Sequence, residues 1–191
     1  MISSWFLRVK SQSAIQPLRN FLESTLQIVN FTGLLNRRGL DDRTAEMVSV
    51  VEKYDPISAV MIDIDHFKKI NDAHGHLIGD SVLKKLGELL KESVKGKDVA
   101  ARYGGEEFIL VLPQTGLSGA LALTEQIRTA VENMNFKIKE SGQSIGRITI
   151  SSGVASLKKG QSFDKLIEQT DHLLYHAKKT GRNKTVTERD A

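Results

Sequence analysis

The sequence of 191 residues contains no cysteine, three prolines and a single tryptophan. Without cysteine the chain can form neither disulfides nor thiolate metal sites, which fits a reducing compartment. No apolar run approaches the roughly 20 residues needed to cross a bilayer, and the start from Met1 to Arg8 lacks the apolar core of a signal peptide. These absences predict a cytoplasmic location, either for the chain alone or for the cytoplasmic part of a longer, membrane-linked protein.

The charge balance is mildly basic, with 27 Lys and Arg against 23 Asp and Glu and a formal net charge of +4. Basic and acidic residues are interspersed, and aromatic residues are not interleaved with the basic ones as they are in proteins that bind single-stranded nucleic acid. Nucleic acid is therefore not a predicted partner, although a basic surface helps to attract an anionic nucleotide. A composition of 40% hydrophobic and 26% charged residues is that of an ordinary globular protein.

After a first helix over residues 13–30, hydrophobic patterning predicts the element order α-β-α-α-β-β-α-β-α-β, which indicates a mixed sheet with helices packed on it. The predicted helices cover residues 13–30, 37–53, 66–75, 79–95, 117–134 and 162–181, with Ser162 as an N-cap, and the predicted strands cover residues 57–64, 99–101, 108–112, 147–155 and 184–186. The chain then divides into a helical extension (residues 1–30), one main domain (31–186) and a short tail (187–191).

The helical extension carries a short heptad stripe that includes Ile15, Leu18 and Leu22. Two heptads are short for a stable coiled coil. The helix either packs on its own domain or is the end of a dimerising or signalling helix that connects to an upstream sensor, and the sequence leaves both interpretations open.

The most informative segment of the chain is Arg102-Tyr103-Gly104-Gly105-Glu106-Glu107-Phe108. Apolar runs lie on both sides of it, so the two glycines predict the turn of a β-hairpin. Glycine lets a backbone approach a ligand closely, and carboxylates at the exit of such a turn can hold a divalent metal beside a phosphate. An ordinary hairpin with two solvated glutamates explains the same residues, so this segment alone leaves both readings open.

Two aspartates, Asp63 and Asp65, stand at the end of the apolar run 57–64, which is predicted to be a buried central strand. Because side chains alternate along a strand, both carboxylates are expected on one face, with Ile64 on the other. Ligand sites in open α/β sheets favour the carboxyl ends of strands, and a carboxylate facing Glu106 on a neighbouring strand would suit Mg²⁺. Acidic pairs also cap the helices that follow them, so a purely structural role remains the alternative.

Polar residues beyond this strand have the chemistry to contact a nucleotide. Lys68 lies about one helical turn from the aspartates and is placed to reach phosphate oxygens, and Asn71 offers both donors and acceptors. Glycines flank the segment that contains His76, and Asp80 begins the next helix. Asp80 is either an N-cap or an acceptor for the adjacent N–H donors of a guanine.

A basic cluster that includes Lys178 and Arg182 surrounds the end of the last predicted helix. Cations are favourable at any helix C-terminus, which is the simpler interpretation. The functional interpretation is a clamp for terminal phosphates, to which an arginine can bind in a bidentate manner.

With these segments in order, the chain resembles the GGDEF domains of the diguanylate cyclase family over about residues 30–186. The resemblance rests on motifs that occur in the family's order. They are Thr32-Gly33-Leu34-Leu35-Asn36-Arg37-Arg38, Asp63-Ile64-Asp65-His66-Phe67-Lys68, Asn71-Asp72, Gly75-His76-Leu77-Ile78-Gly79-Asp80, the glycine segment itself, Thr149-Ile150-Ser151-Ser152-Gly153-Val154-Ala155 and Tyr175-His176-Ala177-Lys178-Lys179-Thr180-Gly181-Arg182-Asn183.

The resemblance implies a five-stranded mixed sheet surrounded by helices, similar to nucleotidyl cyclases and polymerase palms. It also implies condensation of two GTP molecules into cyclic di-GMP and two pyrophosphates across a homodimer in which each protomer binds one GTP. Mg²⁺ or Mn²⁺ is the implied cofactor, with two ions in each active site. A catalytically silent, GTP- or cyclic di-GMP-binding regulatory module of the same fold is the alternative, although such modules usually lack the carboxylates that this chain keeps.

The same resemblance implies the site residues position by position. Asp63, the Ile64 carbonyl and Glu106 match the metal positions, and Glu106 with Glu107 beside it is the candidate for assisting deprotonation of the ribose 3′-hydroxyl. The other matched positions are Lys68 (a catalytic phosphate contact), Lys178 and Arg182 (phosphate contacts), Gly104 and Gly105 (close approach of the backbone), Asn71 and Asp80 (guanine) and His76 (a substrate-associated position). Asp80 supports GTP, because relatives that accept ATP tend to differ there.

Two departures from the family pattern stand out. Val29 occupies a position where the family usually has Asp, and Phe31 replaces a common Leu, which puts the junction between the helix and the domain in doubt. The product-inhibition motif Arg-x-x-Asp is replaced by Lys95-Gly96-Lys97-Asp98. Because lysine keeps the charge but lacks the bidentate fork of arginine, weak or absent product inhibition is predicted at this turn.

Overall fold

A computed structural model describes residues 32–48, 54–137, 142 and 144–190. Its helices are α1 (Arg37–Val48), α2 (Phe67–His74), α3 (His76–Ser93), α4 (Leu117–Asn133) and α5 (Phe163–Lys179), and its strands are β1 (Ile57–Ile64), β2 (Val99–Arg102), β3 (Glu107–Pro113), β4 (Ile150–Ser156) and β5 (Thr185–Thr187). The predicted helix over residues 13–30 and the last part of the one over 37–53 lie outside the described residues, as do Val29 and Phe31.

The strands form one five-stranded sheet in the order β2-β3-β1-β4-β5. The central strand β1 is antiparallel to both of its neighbours, whereas β5 runs parallel to β4. Every residue of β1 is buried, because helices cover both faces of the sheet. The predicted mixed sheet with helices packed on it is confirmed.

The two faces of β1 pack against different helices. Ile62 and Ile64 belong to the larger apolar core, which the sheet shares with α3 and α4. Met61 points to the other face and belongs to a second core that includes residues of α1 and Leu174 of α5. Because side chains alternate along a strand, Asp63 shares the face of Met61 and is directed toward α5. The alternation of the strand thus determines which helix supplies partners to this carboxylate.

A glycine allows α5 to approach the sheet closely. A Cβ built on Gly153 of β4 would lie 2.8 Å from the Leu173 Cβ atom and would also overlap the α5 backbone at Thr170 and Leu174. Any larger residue at this position would therefore push α5 away from β4. This close packing brings the end of α5 beside the end of β1.

Two element boundaries differ most clearly from the sequence prediction, by three residues each, and several others differ by one or two residues. The helix break is confined to Gly75, with φ of 83°, so α3 begins at His76 and not near Gly79. Strand β4 begins at Ile150 and not at Arg147. Just before it, the Thr149 carbonyl accepts a hydrogen bond from the Asp65 backbone N–H beyond the end of β1. The predicted N-cap is confirmed, since the Ser162 side chain accepts a hydrogen bond from the Lys165 backbone N–H. Among the helices of the described segments, none combines the length and apolar character needed to cross a lipid bilayer.

Candidate active site

A buried carboxylate lies at the end of the central strand. Asp63 is only 4% exposed, and its Oδ2 atom lies 2.7 Å from the Lys178 Nζ atom at the end of α5. Burial raises the pKa of Asp63 to about 6 against the opposing effect of the Lys178 ammonium, and Glu106 and Glu107 add to the rise. The site therefore holds more negative charge than one lysine neutralises.

The glycine turn between β2 and β3 folds back on itself. The Glu107 carbonyl accepts hydrogen bonds from the Tyr103 and Gly104 backbone N–H groups at 2.8 and 3.2 Å, and the Gly105 carbonyl accepts one from Arg102 Nε at 3.1 Å. A Cβ on Gly104 would lie 2.5 Å from the Glu107 Oε2 atom, whereas one on Gly105 would meet no atom within 4 Å. A side chain at position 104 would thus displace the Glu107 carboxylate from this position, and Gly105 leaves open space beside the turn.

The two glutamates of the turn occupy different positions relative to Asp63. Glu107 begins β3 and is the Cα partner of Asp63 across the sheet. Glu106 precedes the strand, so it lies in the turn and not on the neighbouring strand as the sequence suggested. Both raise the pKa of Asp63, with Glu106 the stronger of the two. The structure therefore brings the three predicted carboxylates to one end of the sheet.

The donors at this end suit a hard divalent cation. Asp63, Glu106 and the main-chain carbonyl of Ile64 carry oxygen atoms, which are the donors that Mg²⁺ and Mn²⁺ prefer. Within the described ranges, no group of three or more His, Asp or Glu side chains is arranged as a metal site. The predicted set contains two such side chains and a carbonyl, so phosphate oxygens and water would have to complete the coordination. The excess negative charge around Asp63 fits a cation held in this way.

The predicted base-binding residues lie on α2 and α3. The Asn71 Oδ1 atom is buried without a hydrogen-bond partner among the described residues. A Cβ built on Gly79 would overlap this oxygen and lie 3.1 Å from the Phe67 Cζ atom. Asp80 is exposed on the next turn, and its charge acts on the Arg102 guanidinium of the glycine segment. The exposed Asp80 carboxylate is thus an acceptor open to a ligand that carries N–H donors, whereas the Asn71 Oδ1 atom is covered by α3 at Gly79.

The predicted phosphate-binding residues approach from two helix ends. Lys68 is exposed in the first turn of α2, Lys178 lies in the last turn of α5, and Arg182 follows α5 with φ of 62°. His76 is exposed as the first residue of α3. Among the described residues, the side chains of Lys68, His76 and Arg182 form no hydrogen bond or ion pair with another predicted site residue. Only Lys178 is in direct contact with one, through Asp63.

Sequence reasoning missed the residues that support this end of the sheet. Asp65 is no free partner for Asp63, because its Oδ1 accepts from Ser151 Oγ at 2.6 Å and its Oδ2 accepts from Thr149 Oγ1 at 2.7 Å and from the Asn183 backbone N–H at 2.9 Å. The alternation of small polar residues in Thr149-x-Ser151 at the start of a strand was the available signal. Asp65 therefore has a structural role beside the candidate active site.

Comparison with known proteins gives consistent matches. The family model for the diguanylate cyclase GGDEF domain matches residues 30–184. Diguanylate cyclase VdcA of Vibrio cholerae is 40% identical over 157 residues, which are 82% of this chain and 45% of that protein. Response regulator PleD of Caulobacter vibrioides is 41% identical over 177 residues, which are 88% of this chain and 38% of that protein. The chain thus spans less than half the length of these curated relatives.

The fold matches solved structures of the same family. The coiled coil and GGDEF domain of DgcB from Caulobacter crescentus, solved in complex with c-di-GMP, is similar to this chain with a TM-score of 0.84 and 32% sequence identity. The match covers 94% of this chain and 96% of that one. Both the sequence and the architecture therefore point to a single family.

Proposed function

Because the chain belongs to the GGDEF domain family of diguanylate cyclases, we propose that it condenses two GTP molecules into cyclic di-GMP and two pyrophosphates. The observation that carries this proposal is the buried Asp63 beside Glu106, Glu107 and Lys178. A silent regulatory module has no need to keep a costly buried carboxylate among further acidic groups. The retained acidic cluster therefore favours catalysis over nucleotide binding alone.

The chemistry is two phosphoryl-transfer steps between facing protomers, each of which binds one GTP. The 3′-oxygen of one GTP attacks the α-phosphorus of the other, and the bond from that phosphorus to the pyrophosphate oxygen breaks. The proton of the 3′-hydroxyl passes to a carboxylate, for which Glu106 is the first candidate and Glu107 the second. A second, identical step closes the ring, so each protomer supplies half of the reaction centre.

Phosphate binding falls to three basic side chains from the two helix ends. The Lys178 ammonium has three donors, of which one contacts Asp63, so others are available to phosphate oxygens. Arg182 provides a planar fork for terminal phosphates, and Lys68 reaches them from α2. Gly105 leaves room for a phosphate close to the turn.

Base recognition falls to Asn71 and Asp80. Guanine presents adjacent N–H donors to the Asp80 carboxylate, and Asn71 meets another part of the base with its side-chain amide. Adenine lacks that pair of adjacent donors. GTP is therefore the proposed substrate. His76, the first residue of α3, lies close in sequence to the two proposed base-binding residues, Asn71 and Asp80.

Two divalent cations, held by Asp63, the Ile64 carbonyl and Glu106, would supply charge neutralisation and alignment of the reacting oxygens. Assembly of the homodimer is the step at which regulation is most effective, because a lone protomer lacks half of the reaction centre. An upstream sensor or a partner protein that acts through residues 1–30 is the proposed input.

The proposal is tested by incubating the purified protein with GTP and Mg²⁺ and separating the products by chromatography. Cyclic di-GMP and pyrophosphate are expected from the wild type and should be lost in Glu106→Gln. Glu92→Gln, an exposed glutamate of α3, is the matched control and should retain activity. A dimeric preparation that binds GTP but yields no product would favour the silent module and overturn the proposal.

A further inference from the structure

The loop after α5 contains two consecutive residues in the left-handed backbone region. Arg182 has φ of 62° and Asn183 has φ of 46°. This region is unfavourable for most residues other than glycine, and asparagine tolerates it better than arginine does. The conformation of Arg182 therefore needs support from its surroundings. Its own N–H donates to the Ala177 carbonyl of α5 at 3.0 Å, and the next residue, Asn183, adds contacts to two other parts of the fold.

The backbone of Asn183 is tied to the end of the central strand. Its N–H donates to Asp65 Oδ2 at 2.9 Å, and Asp65 is itself 5% exposed. Hydroxyl groups of Thr149 and Ser151 hold both oxygens of that carboxylate in place. Because Asp65 is two residues from Asp63, this bond fixes the loop relative to the buried carboxylate of the active site.

The side chain of Asn183 is tied to α4. Its Oδ1 accepts from Arg128 NH1 at 2.8 Å and its Nδ2 donates to Glu132 Oε1 at 3.1 Å. Arg128 and Glu132 also pair with each other at 2.7 Å, and their side chains are 17% and 19% exposed. Both ends of the amide are thus engaged by a partly buried ion pair, in which hydrogen bonds are stronger than at an open surface.

We propose that Asn183 is a positioning residue that fixes Arg182 for contact with the terminal phosphates of GTP. This inference rests on the proposed function. Two anchors from different elements hold Asn183, while the exposed Arg182 side chain has no hydrogen bond or ion pair within the described segments. Lys178, on the last turn of the helix that leads into this loop, places the phosphates near Asp63. A fixed backbone lowers the entropy that Arg182 loses when it binds them.

The test compares two ligands that differ only in the phosphates that Arg182 would contact. The dissociation constants of GTP and GMP are measured for the wild type and for Asn183→Gly, since glycine keeps the left-handed backbone and removes only the amide. Affinity for GTP should fall about tenfold, equivalent to about 1.4 kcal/mol. Affinity for GMP, which lacks the terminal phosphates, should stay within about twofold.

Two further variants make the result specific. Arg128→Gln removes the charged donor to Asn183 without changing the loop sequence, and it should reproduce the selective loss for GTP. Gln126→Ala, at an exposed position of the same helix, is the control and should bind both ligands as the wild type does. In an Arg182→Ala background, Asn183→Gly should cause no additional loss of GTP affinity, because Asn183 acts on GTP only through the position of Arg182.

An equal loss of affinity for GTP and GMP, or additive effects of Asn183→Gly and Arg182→Ala, would overturn the positioning role. These readouts are binding constants, so they remain valid for a protein without turnover. If the wild type binds GTP and all variants bind it with the same dissociation constant, this inference alone is overturned. If the wild type binds neither GTP nor GMP, the proposed function and this inference are overturned together.

Discussion

At the scale of single residues, the base site depends on a position that has no side chain. Gly79 lies on α3 against Asn71, and an added methyl group would overlap the Asn71 Oδ1 atom. The amide of Asn71 must then rotate away or α3 must shift, since packed interiors have little free space. Gly79 therefore helps to determine where the amide of Asn71, the proposed contact for guanine, lies.

Gly79→Ala should lower GTP affinity about tenfold, the size of one or two lost hydrogen bonds, and reduce discrimination between GTP and ATP. The fold should persist, because alanine favours a helix over glycine by up to about 1 kcal/mol. Gly119→Ala on α4 is the matched control, and it should leave both dissociation constants unchanged. Titration calorimetry with GTP and ATP measures the effect. Wild-type affinity and selectivity in Gly79→Ala would show that Asn71 does not read the base.

The candidate site was predicted from sequence where its residues belong to compact motifs. Asp63, Glu106 and Lys178 each stand in a recognisable segment, and the structure brings Asp63 and Lys178 into contact. The support from Asp65 to Asn183 was not predictable in this way, because it joins residues separated by 118 positions in the chain. The sequence also did not predict that the Asn71 Oδ1 atom is buried without a hydrogen-bond partner among the described residues, because such burial depends on packing.

At the scale of elements, patterning predicted the strands well because each is an apolar run between turn residues. β1 was predicted with its observed limits, Ile57–Ile64. Errors arose where a single backbone feature decides the boundary. Gly75 alone breaks the chain between α2 and α3. Strand β4 begins at Ile150, directly after Thr149, whose hydroxyl donates to Asp65. Local composition does not encode such long-range contacts.

The turn over residues 95–98 stands where the family pattern has the product-inhibition motif, and its sequence predicts weak or absent product inhibition. In Lys95-Gly96-Lys97-Asp98, the Asp98 Oδ2 atom accepts from the Lys95 backbone N–H at 3.0 Å, and the Asp98 N–H donates to the Lys95 carbonyl at 3.0 Å. The turn is therefore closed on itself, and Lys95 is exposed. The lysine ammonium is a single charge on a flexible side chain, so it cannot form the paired hydrogen bonds to a phosphate or a base edge that the planar arginine guanidinium forms.

The wild-type chain should accordingly show weak or no binding of cyclic di-GMP at this turn, and Lys95→Arg should tighten binding at least about tenfold, the gain of one or two charge-assisted hydrogen bonds. Lys97→Arg makes the same chemical change at a neighbouring position and serves as the control. Calorimetric titration of product into nucleotide-free protein provides the measurement. Tight binding by the wild type that Asp98→Ala abolishes would contradict the prediction.

At the scale of the whole molecule, the proposed reaction makes the site described above half of a reaction centre. In that reaction each protomer holds one nucleotide, and the attacking 3′-oxygen and the attacked phosphorus belong to different protomers. The rate must then follow the dimer concentration and not the total protein concentration. The resting equilibrium between monomer and dimer becomes the quantity that an input acting through residues 1–30 would change.

Turnover per protein molecule should therefore rise in proportion to protein concentration while the monomer predominates, and should level off once the dimer does. A tenfold dilution in the low range should lower specific activity about tenfold, because the dimer population varies as the square of the monomer concentration. Light scattering on the same samples gives the oligomeric state. Excess Glu106→Gln protomer should suppress cyclic product from the wild type, since mixed dimers retain only one intact half. Constant specific activity across the measured change from monomer to dimer would show that one protomer completes the reaction alone.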